Sequence, residues 1–586
     1  MPAAPDPMQA VLDHYRSGRY AAARVLLTRI LQRRPADPEA NHLSALCLLA
    51  IGQSVQAEFF VARALAGAPG RADFANTMAL VLSAQSKAEA ALGWFARAAE
   101  AMPGDPTGHA NLGHALLQAQ RTREGIGAYE RALAIDPEHS ASVRALGLFW
   151  RLCGRTDRAL PLLRRAVELD PRDAEAASNL ALALNYHEGA RPEEVLAAHR
   201  HAGRLLAGRA GAGAPPPEGA LAARDAGRPL RIGYLSPDFR SHSVALFIEP
   251  LLRHRDRARH SAHLYMTAPK VDGVSERLRG LADAWTMVDT LTDAALAARL
   301  KADQLDVLID LAGLTKGSRI AALAARCAPV QGTYLGYPST TGVPGVDFRI
   351  VDAITDPPSA EVDAWHSERL VRLDRCFLAF GPPADAPQPA ARPAAGPITL
   401  GSFNLFMKIT PGAARVWGRI LARLPNSRLL LKTIGLDSPG VREVFTAMLA
   451  ENGLDVSRVD FLPFAPTKRE HYETYAHVDV ALDPFPYCGT ATTCEALFMG
   501  VPVVTLSGRT HVQRVGESLL HAAGFSEWVA RTEGEYVEKA VALATDPARL
   551  AALRGELRPR VLASALCDGA ALARAFEGAV WRLASA

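Results

Sequence analysis

The chain lacks the features that mark membrane, secreted and nucleic-acid-binding proteins. It contains no run of about 20 uninterrupted apolar residues, the length that a membrane-spanning helix requires. Its N-terminus has no basic segment leading into an apolar stretch, which disfavours a secretory signal. Its net charge of +4 is small for 586 residues, and it has no dense block of lysine and arginine. We therefore expect a cytoplasmic protein that binds neither nucleic acid nor membrane.

Cysteine is scarce, and its spacing forms no pairs. The seven cysteines are odd in number, scattered, and without the CxxC spacing of a zinc site. We expect reduced thiols and no structural metal. The length of 586 residues is too great for one hydrophobic core, so three or four domains are expected.

The first two hundred residues repeat with a period of 34. A proline recurs at this step at Pro35, Pro69, Pro103, Pro137 and Pro171. Small residues keep the same step at Ala45, Ala79, Gly113, Gly147 and Ala181, and a further alanine series at Ala64, Ala98, Ala132 and Ala166. A proline ends one helix and restarts the chain, while a small residue lets the partner helix approach closely. The pattern is typical of a helix-turn-helix solenoid, and the stretch from Asn111 to Pro137 resembles the tetratricopeptide consensus.

Changes in composition predict the domain boundaries. The repeat array covers residues 1–206, and the stretch 207–228 is too rich in Gly, Ala and Pro to form a packed element. A second such linker at 386–397 separates two further domains, 229–385 and 398–586.

Each of these two domains alternates short apolar runs with helical patterns. The runs have the length of buried strands and read LRIGYLS, AHLYMTA, LDVLIDLAG, VQGTYLG and FRIVDAI, then ITLGSFN, RLLLKTI, VDFLPF, VDVALDPF and VPVVTL. Such alternation predicts parallel sheets covered by helices on both faces, so two doubly wound, Rossmann-like domains should face each other across a cleft. Because such sheets bind ligands at the carboxyl ends of their strands, the cleft is the expected active site.

Three common phosphate-binding motifs are missing from this part of the chain. No GxGxxG fingerprint follows the first strand, no GxxxxGK[ST] loop occurs, and no DxD pair is present to hold a metal beside a diphosphate. NAD-dependent and ATP-hydrolysing activities therefore lose their usual support. A metal-free phosphate site needs another source of positive potential.

Residues 483–505, DPFPYCGTATTCEALFMGVPVVT, offer that source. They read as the end of a strand, a turn at Gly489 and a helix that begins just after it. The first-turn N–H groups and the hydroxyls of Thr492 and Thr493 then lie at the positive end of a helix, where anions bind. A threonine pair at this point is also a common helix cap. Glu495, expected in the first turn, either favours the helix dipole or accepts hydrogen bonds from vicinal sugar hydroxyls.

Four segments carry a resemblance to a known family. They read SPDFRSHSVALFIEPLL, APVQGTYLGYPSTTGVPGVDFRIVDAITDPP, GSFNLFMKITP and YCGTATTCEALFMGVPVVT. With the repeat array and the tandem α/β domains, they resemble the O-GlcNAc transferase and SPINDLY family of protein O-glycosyltransferases, and in detail its plant SPINDLY branch. The resemblance covers nearly the whole chain. It implies an all-α tetratricopeptide superhelix followed by an α/β GT-B glycosyltransferase, with inverting transfer of a sugar from a nucleotide diphosphate to Ser or Thr hydroxyls, without metal or other cofactor.

The resemblance also implies roles for two catalytic residues. His242, in SPDFRSHS, matches the histidine beside the donor that has been proposed as the base, although a lone histidine near a strand end is more often a structural hydrogen bonder. Lys408, in FNLFMKI, matches the lysine that neutralises the leaving pyrophosphate, and its alternative is a solvated charge at a helix start.

The donor-binding residues are implied in the same way. Lys468 and His471, in APTKREH, match the nucleoside-binding pair. Thr492 and Thr493 match the pyrophosphate threonines, and Glu495 matches the ribose-binding acid.

A third set of residues matches positions that line the sugar pocket in members of the family. It comprises Lys316 and the turn LGYPSTTG around Gly336 and Pro338. The partners implied are a nucleotide sugar and a protein or peptide acceptor, which the concave surface of the repeats would hold.

Two departures leave the donor open. Leu405 stands where the family usually has Gln or Asn, and Ala491 stands where the animal enzymes have a histidine. UDP-GlcNAc is the expected donor. The alternatives are GDP-fucose, another sugar transferred to a dedicated flagellar or surface protein, and a non-catalytic adaptor that senses a nucleotide sugar.

Overall fold

The structure, a computed structural model, describes residues 6–211, 213, 228–390, 396–433 and 435–585. Most of the predicted linker 207–228 and the central part of the linker 386–397 lie outside the described residues. The last repeat helix continues to Ala210, so the first few residues assigned to the linker are helical.

Twelve helices form the N-terminal part of the described chain. They are α1 Pro7–Arg16, α2 Tyr20–Arg33, α3 Pro38–Ala50, α4 Ser54–Gly67, α5 Ala72–Ala84, α6 Ala88–Ala101, α7 Pro106–Gln118, α8 Thr122–Ile135, α9 Ser140–Leu152, α10 Thr156–Leu169, α11 Ala174–Leu184 and α12 Pro192–Ala210. All five periodic prolines lie in the loops that connect one helix pair to the next. At Gly113 a Cβ would come within 2.9 Å of the Tyr129 ring, which shows why this position must be small. The predicted tetratricopeptide array is confirmed.

The packing divides the chain at a different place from the repeat pattern. One compact unit holds the chain up to Gly147, and the other holds nearly all of the chain from Leu148 onward. In the second unit, Ala181 of α11 and Ala202 of α12 share a hydrophobic core with residues of the first α/β domain such as Leu323. The last repeat is therefore part of the same packed body as that domain.

The first α/β domain contains a seven-stranded sheet in which every pairing is parallel. Its strands are β1 Leu230–Ser236, β2 His260–Met266, β3 Ala284–Met287, β4 Val307–Asp310, β5 Val330–Thr333, β6 Phe348–Asp352 and β7 Arg369–Leu373, in the spatial order β3-β2-β1-β4-β5-β6-β7. Its helices are α13 Ser243–His254, α14 Gly273–Leu281, α15 Asp293–Ala302 and α16 Ala360–Asp363.

The second α/β domain contains a six-stranded parallel sheet. Its strands are β8 Thr399–Ser402, β9 Arg428–Lys432, β10 Val459–Leu462, β11 Val480–Leu482, β12 Val503–Leu506 and β13 Val529–Ala530, in the order β10-β9-β8-β11-β12-β13. Its helices are α17 Pro411–Arg423, α18 Pro439–Glu451, α19 Lys468–Glu473, α20 Ala491–Phe498, α21 His511–Ala523, α22 Glu533–Ala544, α23 Pro547–Leu562 and α24 Gly569–Ser585. Two doubly wound domains behind a helical array confirm the predicted fold class.

The C-terminal helix packs on the first α/β domain. Phe576 of α24 contacts the rings of Tyr234 and Tyr334, with ring centroids 6.4 and 5.5 Å apart. Glu577 accepts a hydrogen bond from the backbone N–H of Asp256 at 2.8 Å. The end of the predicted 398–586 domain thus ties the two α/β domains together.

Within the ranges that the structure describes, none of the helices combines the length and apolar character that a bilayer span requires.

Candidate active site

The turn after β11 is built around a buried carboxylate. Asp483 accepts a hydrogen bond from the backbone N–H of Gly489 at 2.6 Å and another from the Thr505 hydroxyl at 2.7 Å. Burial raises the pKa of Asp483 to about 6. A Cβ at Gly489 would lie 2.7 Å from the Asp483 carboxylate, so the turn requires glycine. The carboxylate therefore fixes the shape of the turn that leads into α20.

The two threonines do not act as the cap of α20. Thr490 occupies the N-cap position, and its side chain makes no capping hydrogen bond. Thr492 and Thr493 are the second and third residues of the helix, and the Thr492 hydroxyl donates to Asn404 Oδ1 at 2.9 Å. The first turn of α20 therefore keeps backbone N–H groups without a side-chain cap, which is the condition for binding an anion there.

Lys408 lies beside this turn, in a short 3-10 segment after β8. Its ammonium donates a hydrogen bond to the Cys488 carbonyl at 2.9 Å and lies 4.2 Å from the centroid of the Tyr487 ring. Burial lowers the pKa of Lys408 to about 8, although the nearby Asp483 carboxylate opposes that shift. The side chain is therefore held in the site and is not a solvated charge at a helix start.

A second cluster of charges surrounds Glu495. Its side chain is only 3% exposed, and Oε2 lies 2.9 Å from His471 Nε2. Lys468 Nζ lies 3.6 Å from the other carboxylate oxygen. Burial raises the pKa of Glu495, but the hydrogen bond from His471 and the charges of Lys468 and Lys432 outweigh it, so the net pKa is lowered. The structure thus brings together three of the residues implied for nucleoside binding.

Glu495 is not in the first turn of α20, contrary to the sequence expectation. The helix begins at Ala491, so Glu495 is its fifth residue and lies beyond the reach of a capping interaction. Its carboxylate instead faces α19, from which Lys468 and His471 project.

Lys432 is a site residue that the sequence analysis missed. It is the last residue of β9, is 4% exposed, and its ammonium contacts His471 Nδ1. Burial lowers the pKa of Lys432 to about 8, while Glu495 opposes the shift. Because the ammonium can only donate, His471 Nδ1 accepts, and the ring proton on Nε2 is donated to Glu495. The available signal was a lysine that ends the apolar run RLLLK at the carboxyl end of a strand.

His242 lies after β1 at the start of α13. Its Nδ1 accepts a hydrogen bond from the backbone N–H of Val244 at 3.3 Å and lies 3.5 Å from Asp238 Oδ2. Burial lowers the pKa of His242, Asp238 opposes this, and the charges of Arg240 and Lys468 add to the lowering. Lys468, which belongs to the Glu495 cluster of the second α/β domain, is thus near enough to His242 to affect its protonation.

Two of the three residues implied for the sugar pocket, Gly336 and Pro338, are packed against other parts of the first α/β domain or line a cavity. A Cβ at Gly336 would collide with the Leu311 carbonyl, so this position must be glycine. Pro338 lines a cavity of about 40 Å³ together with His366 and His511. Lys316 is exposed in the loop after β4. The structure does not bring these three residues into the Glu495 cluster, and their role toward a sugar stays a prediction.

Both departures from the family pattern lie in the site. Leu405 is 44% exposed immediately before the 3-10 segment of Lys408, and Ala491 is the first residue of α20. Neither side chain can donate a hydrogen bond to a phosphate or a sugar.

Metal ligands are not clustered in the part of the chain that the structure describes. No group of three or more His, Cys, Asp and Glu side chains there could hold a metal ion. All seven cysteines are free thiols.

The two tandem parallel-sheet domains have the architecture of a GT-B glycosyltransferase. Cations and a helix N-terminus lie at the ends of their strands, and a tetratricopeptide array precedes them. The chain belongs to glycosyl transferase family 41, which matches residues 198–381 and 393–575. Tetratricopeptide repeats match residues 14–81 and 111–174.

Individual proteins with similar sequences have names that are consistent with this family. The probable UDP-N-acetylglucosamine–peptide N-acetylglucosaminyltransferase SPINDLY of Solanum lycopersicum is 39% identical over 421 residues, covering 70% of this chain and 44% of that protein. The probable enzyme SEC of Arabidopsis thaliana is 31% identical, covering 61% of this chain and 38% of that protein. The chain thus spans less than half the length of these curated relatives.

A solved structure resembles the chain over almost its full length. A mutant of the O-GlcNAc transferase of Thermobaculum terrenum is 32% identical, with a TM-score of 0.70, and covers 94% of this chain and 98% of that one.

Proposed function

We propose that this protein transfers N-acetylglucosamine from UDP-GlcNAc to Ser or Thr hydroxyls of a protein acceptor. The observation that carries the proposal is the hydrogen bond of the Lys408 ammonium to the turn that leads into α20, a helix whose N-cap residue makes no side-chain hydrogen bond. Together, the ammonium and the first turn of this helix form a site for a diphosphate that does not depend on a metal ion. The names of the relatives, which describe UDP-GlcNAc-dependent transfer to peptides, support the choice of donor.

The donor would be held at two points. The pyrophosphate would receive hydrogen bonds from the Thr493 hydroxyl, from the N–H groups of the first turn, and from the Thr492 hydroxyl, which would turn from Asn404 to the phosphate. The nucleoside would meet the Glu495 cluster, where Lys468 and His471 lie against the carboxylate. Lys432 would keep His471 in the tautomer that donates to Glu495.

The chemistry would be an in-line displacement at the anomeric carbon, with inversion. Negative charge accumulates on the diphosphate as the glycosidic bond breaks, and Lys408 would stabilise it more strongly than it stabilises the ground state. His242 is the proposed base. With its ring proton on Nδ1, directed at the Asp238 carboxylate 3.5 Å away instead of accepting from Val244, His242 would have Nε2 free to take the acceptor proton, and Asp238 would stabilise the imidazolium.

The acceptor would be a polypeptide held by the repeats. Tetratricopeptide arrays present extended concave surfaces to their partners. Binding the acceptor there would convert a bimolecular encounter into a positioned one.

Loss of the two threonine hydroxyls should weaken donor binding. Thr492→Val with Thr493→Val keeps the side-chain size but removes both hydroxyls from the phosphate site. We expect the Kd for UDP to rise by roughly thirtyfold, since two hydrogen bonds worth about 1 kcal/mol each are lost. Titration calorimetry measures this, with Thr446→Val as the control, because Thr446 is a half-buried threonine of α18 whose hydroxyl donates to the Arg442 carbonyl outside the site. An unchanged Kd would remove the threonines from the donor site.

Chelation should leave the activity intact. Because Lys408 and the helix N–H groups would meet the charge of the leaving group, sugar transfer is expected to proceed at the same rate after dialysis against EDTA. A loss of turnover that Mn²⁺ or Mg²⁺ restores would contradict the metal-free mechanism.

The donor is tested by thermal shift. A ligand that binds the native state raises the melting temperature by mass action. We expect UDP-GlcNAc and UDP to raise it in a panel of UDP and GDP sugars, and radiolabelled GlcNAc to appear on acceptor protein. A shift with GDP-fucose alone would reject UDP-GlcNAc as the donor.

A further inference from the structure

We infer that Tyr186 and Glu188, in the loop that follows α11 of the last repeat, are positioning residues that hold Lys408 in place. The inference rests on the proposed role of Lys408. The repeat array would then do more than hold the acceptor, because its last loop would also support the charge that assists departure of the diphosphate.

Tyr186 acts through an aromatic stack. Its ring is buried and stacks on Tyr487, with centroids 4.6 Å apart and planes inclined by 17°. The Tyr487 ring in turn lies 4.2 Å from the Lys408 ammonium. Cys488, whose carbonyl accepts the hydrogen bond from Lys408, is the next residue of the chain. Removing the Tyr186 ring would therefore loosen both groups that contact the ammonium.

Glu188 binds the chain on the C-terminal side of the 3-10 segment that contains Lys408. Its Oε1 accepts hydrogen bonds from the Thr410 hydroxyl at 2.6 Å and from the Gly412 backbone N–H at 2.9 Å. Thr410, two residues after Lys408, is the N-cap of α17, and Gly412 is the second residue of that helix, whose positive end favours a carboxylate. A Cβ at Gly412 would collide with the Glu188 carboxylate, so the contact depends on glycine at that position. The loop after α11 therefore contacts both the chain that follows Lys408 and the Tyr487 ring that lies against the Lys408 ammonium.

These contacts also keep Lys408 out of water. Its pKa is lowered to about 8 by burial, and the groups that face it are the Asp483 carboxylate, the Cys488 thiol and the Tyr487 ring. Burial raises the pKa of Tyr487 and of the Cys488 thiol, so both are neutral near pH 8. Lysine is charged below its pKa, so the parent enzyme should lose kcat/KM for the donor as the pH rises through about 8. Water admitted by Tyr186→Ala should raise this pKa and move the alkaline limb to higher pH.

The first experiment compares variants of the full chain. We expect Tyr186→Ala and Glu188→Ala each to lower kcat by roughly 10- to 100-fold, the scale of a misplaced catalytic group, with KM for the donor nearly unchanged. Tyr186→Phe keeps the stack and Glu188→Gln keeps an acceptor oxygen, so both should retain most of the activity. Glu194→Ala, on α12 of the same repeat and paired with Arg164, is the control and should match the parent.

The second experiment asks whether Tyr186 acts through the lysine. In a Lys408→Met background, Tyr186→Ala should cost little further activity, because residues that act as a unit are not additive. The same loss in both backgrounds would overturn the inference. If Tyr186→Ala does not fold, Glu188→Ala, at a side chain 36% exposed, takes its place in the cycle.

The two proposals fail in different ways. Parent-like activity of both alanine variants in an enzyme that needs Lys408 overturns the positioning role alone. Parent-like activity of Lys408→Met overturns the proposed role of the lysine, and the positioning role with it.

Discussion

Replacing Lys408 with methionine should lower kcat by roughly a hundredfold or more, the scale of losing one preorganised charge-stabilising group. Methionine keeps most of the apolar stem over Tyr487 and removes the charge. Because negative charge moves onto the diphosphate only as the glycosidic bond breaks, the affinity for the donor should change far less than kcat. Steady-state kinetics and calorimetry with UDP separate the two quantities.

A matched variant shows whether any lysine of this domain would give the same result. Lys539→Met removes a lysine of α22 whose ammonium bonds to the Glu527 carbonyl, outside the site. It should leave kcat within about twofold. If Lys408→Met is within about threefold of the parent while the protein stays folded, the lysine does not serve the reaction.

The Lys408 variant also separates an enzyme from an adaptor. Leu405 is exposed next to the lysine segment and cannot hydrogen bond to a donor, which is the feature that favours a non-catalytic protein. If the parent protein turns over no sugar on any acceptor, while UDP-GlcNAc still binds and Lys408→Met weakens that binding, the chain is a nucleotide-sugar sensor.

Strands buried on both faces could be predicted from the sequence, and most edge strands could not. The missed strands are β3 and β7, the two edges of the first sheet, and β13, an edge of the second. Their sequences, AWTM, RLVRL and VA, are partly exposed and lack the continuous apolar run that marks a central parallel strand. β10 is the exception, because VDFLPF keeps an apolar run at the other edge.

In the candidate site, too, features formed within one short segment could be predicted from the sequence, and contacts between distant residues could not. Thr492 and Thr493 follow a strand and a glycine turn within one short segment, so their place at a helix start is readable from the sequence. Lys432 joins His471 across 39 residues, and Glu188 joins Thr410 across 222. Such contacts depend on how the domains pack, and no periodicity in the sequence encodes them.

Where the repeat array ends as a separate body also depends on distant contacts, which the predicted range 1–206 does not take into account. The 34-residue period runs through α11, yet the last repeat shares its core with the first α/β domain. A repeat pattern predicts which helices pair with each other, but it does not predict where the array stops being a separate body.

Replacing Glu495 with glutamine should weaken both donor binding and folding. The change keeps the shape of the side chain and removes the only negative charge that faces Lys432, Lys468 and His471 in this cluster of described residues. A hydrogen bond to a charged group is worth about 1.5–3 kcal/mol, so the Kd for UDP should rise roughly 10- to 150-fold. The free energy of unfolding should also fall, because the buried Lys432 ammonium loses its counter-charge.

The effects on affinity and on stability must be separated, since replacing any buried carboxylate that has ionic partners would lower the stability. Glu517→Gln provides the comparison, because Glu517 is largely buried, accepts from the Ser507 hydroxyl and pairs with Arg531 in the same domain, outside the Glu495 cluster. It should lose stability in urea denaturation and bind UDP as the parent does. If Glu495→Gln behaves like Glu517→Gln, with lower stability and an unchanged Kd, then Glu495 holds α19 and α20 together and the nucleoside binds elsewhere. A Kd raised only in Glu495→Gln identifies the carboxylate as a donor ligand, because the loss of folding free energy is common to both variants and cannot explain the difference in binding.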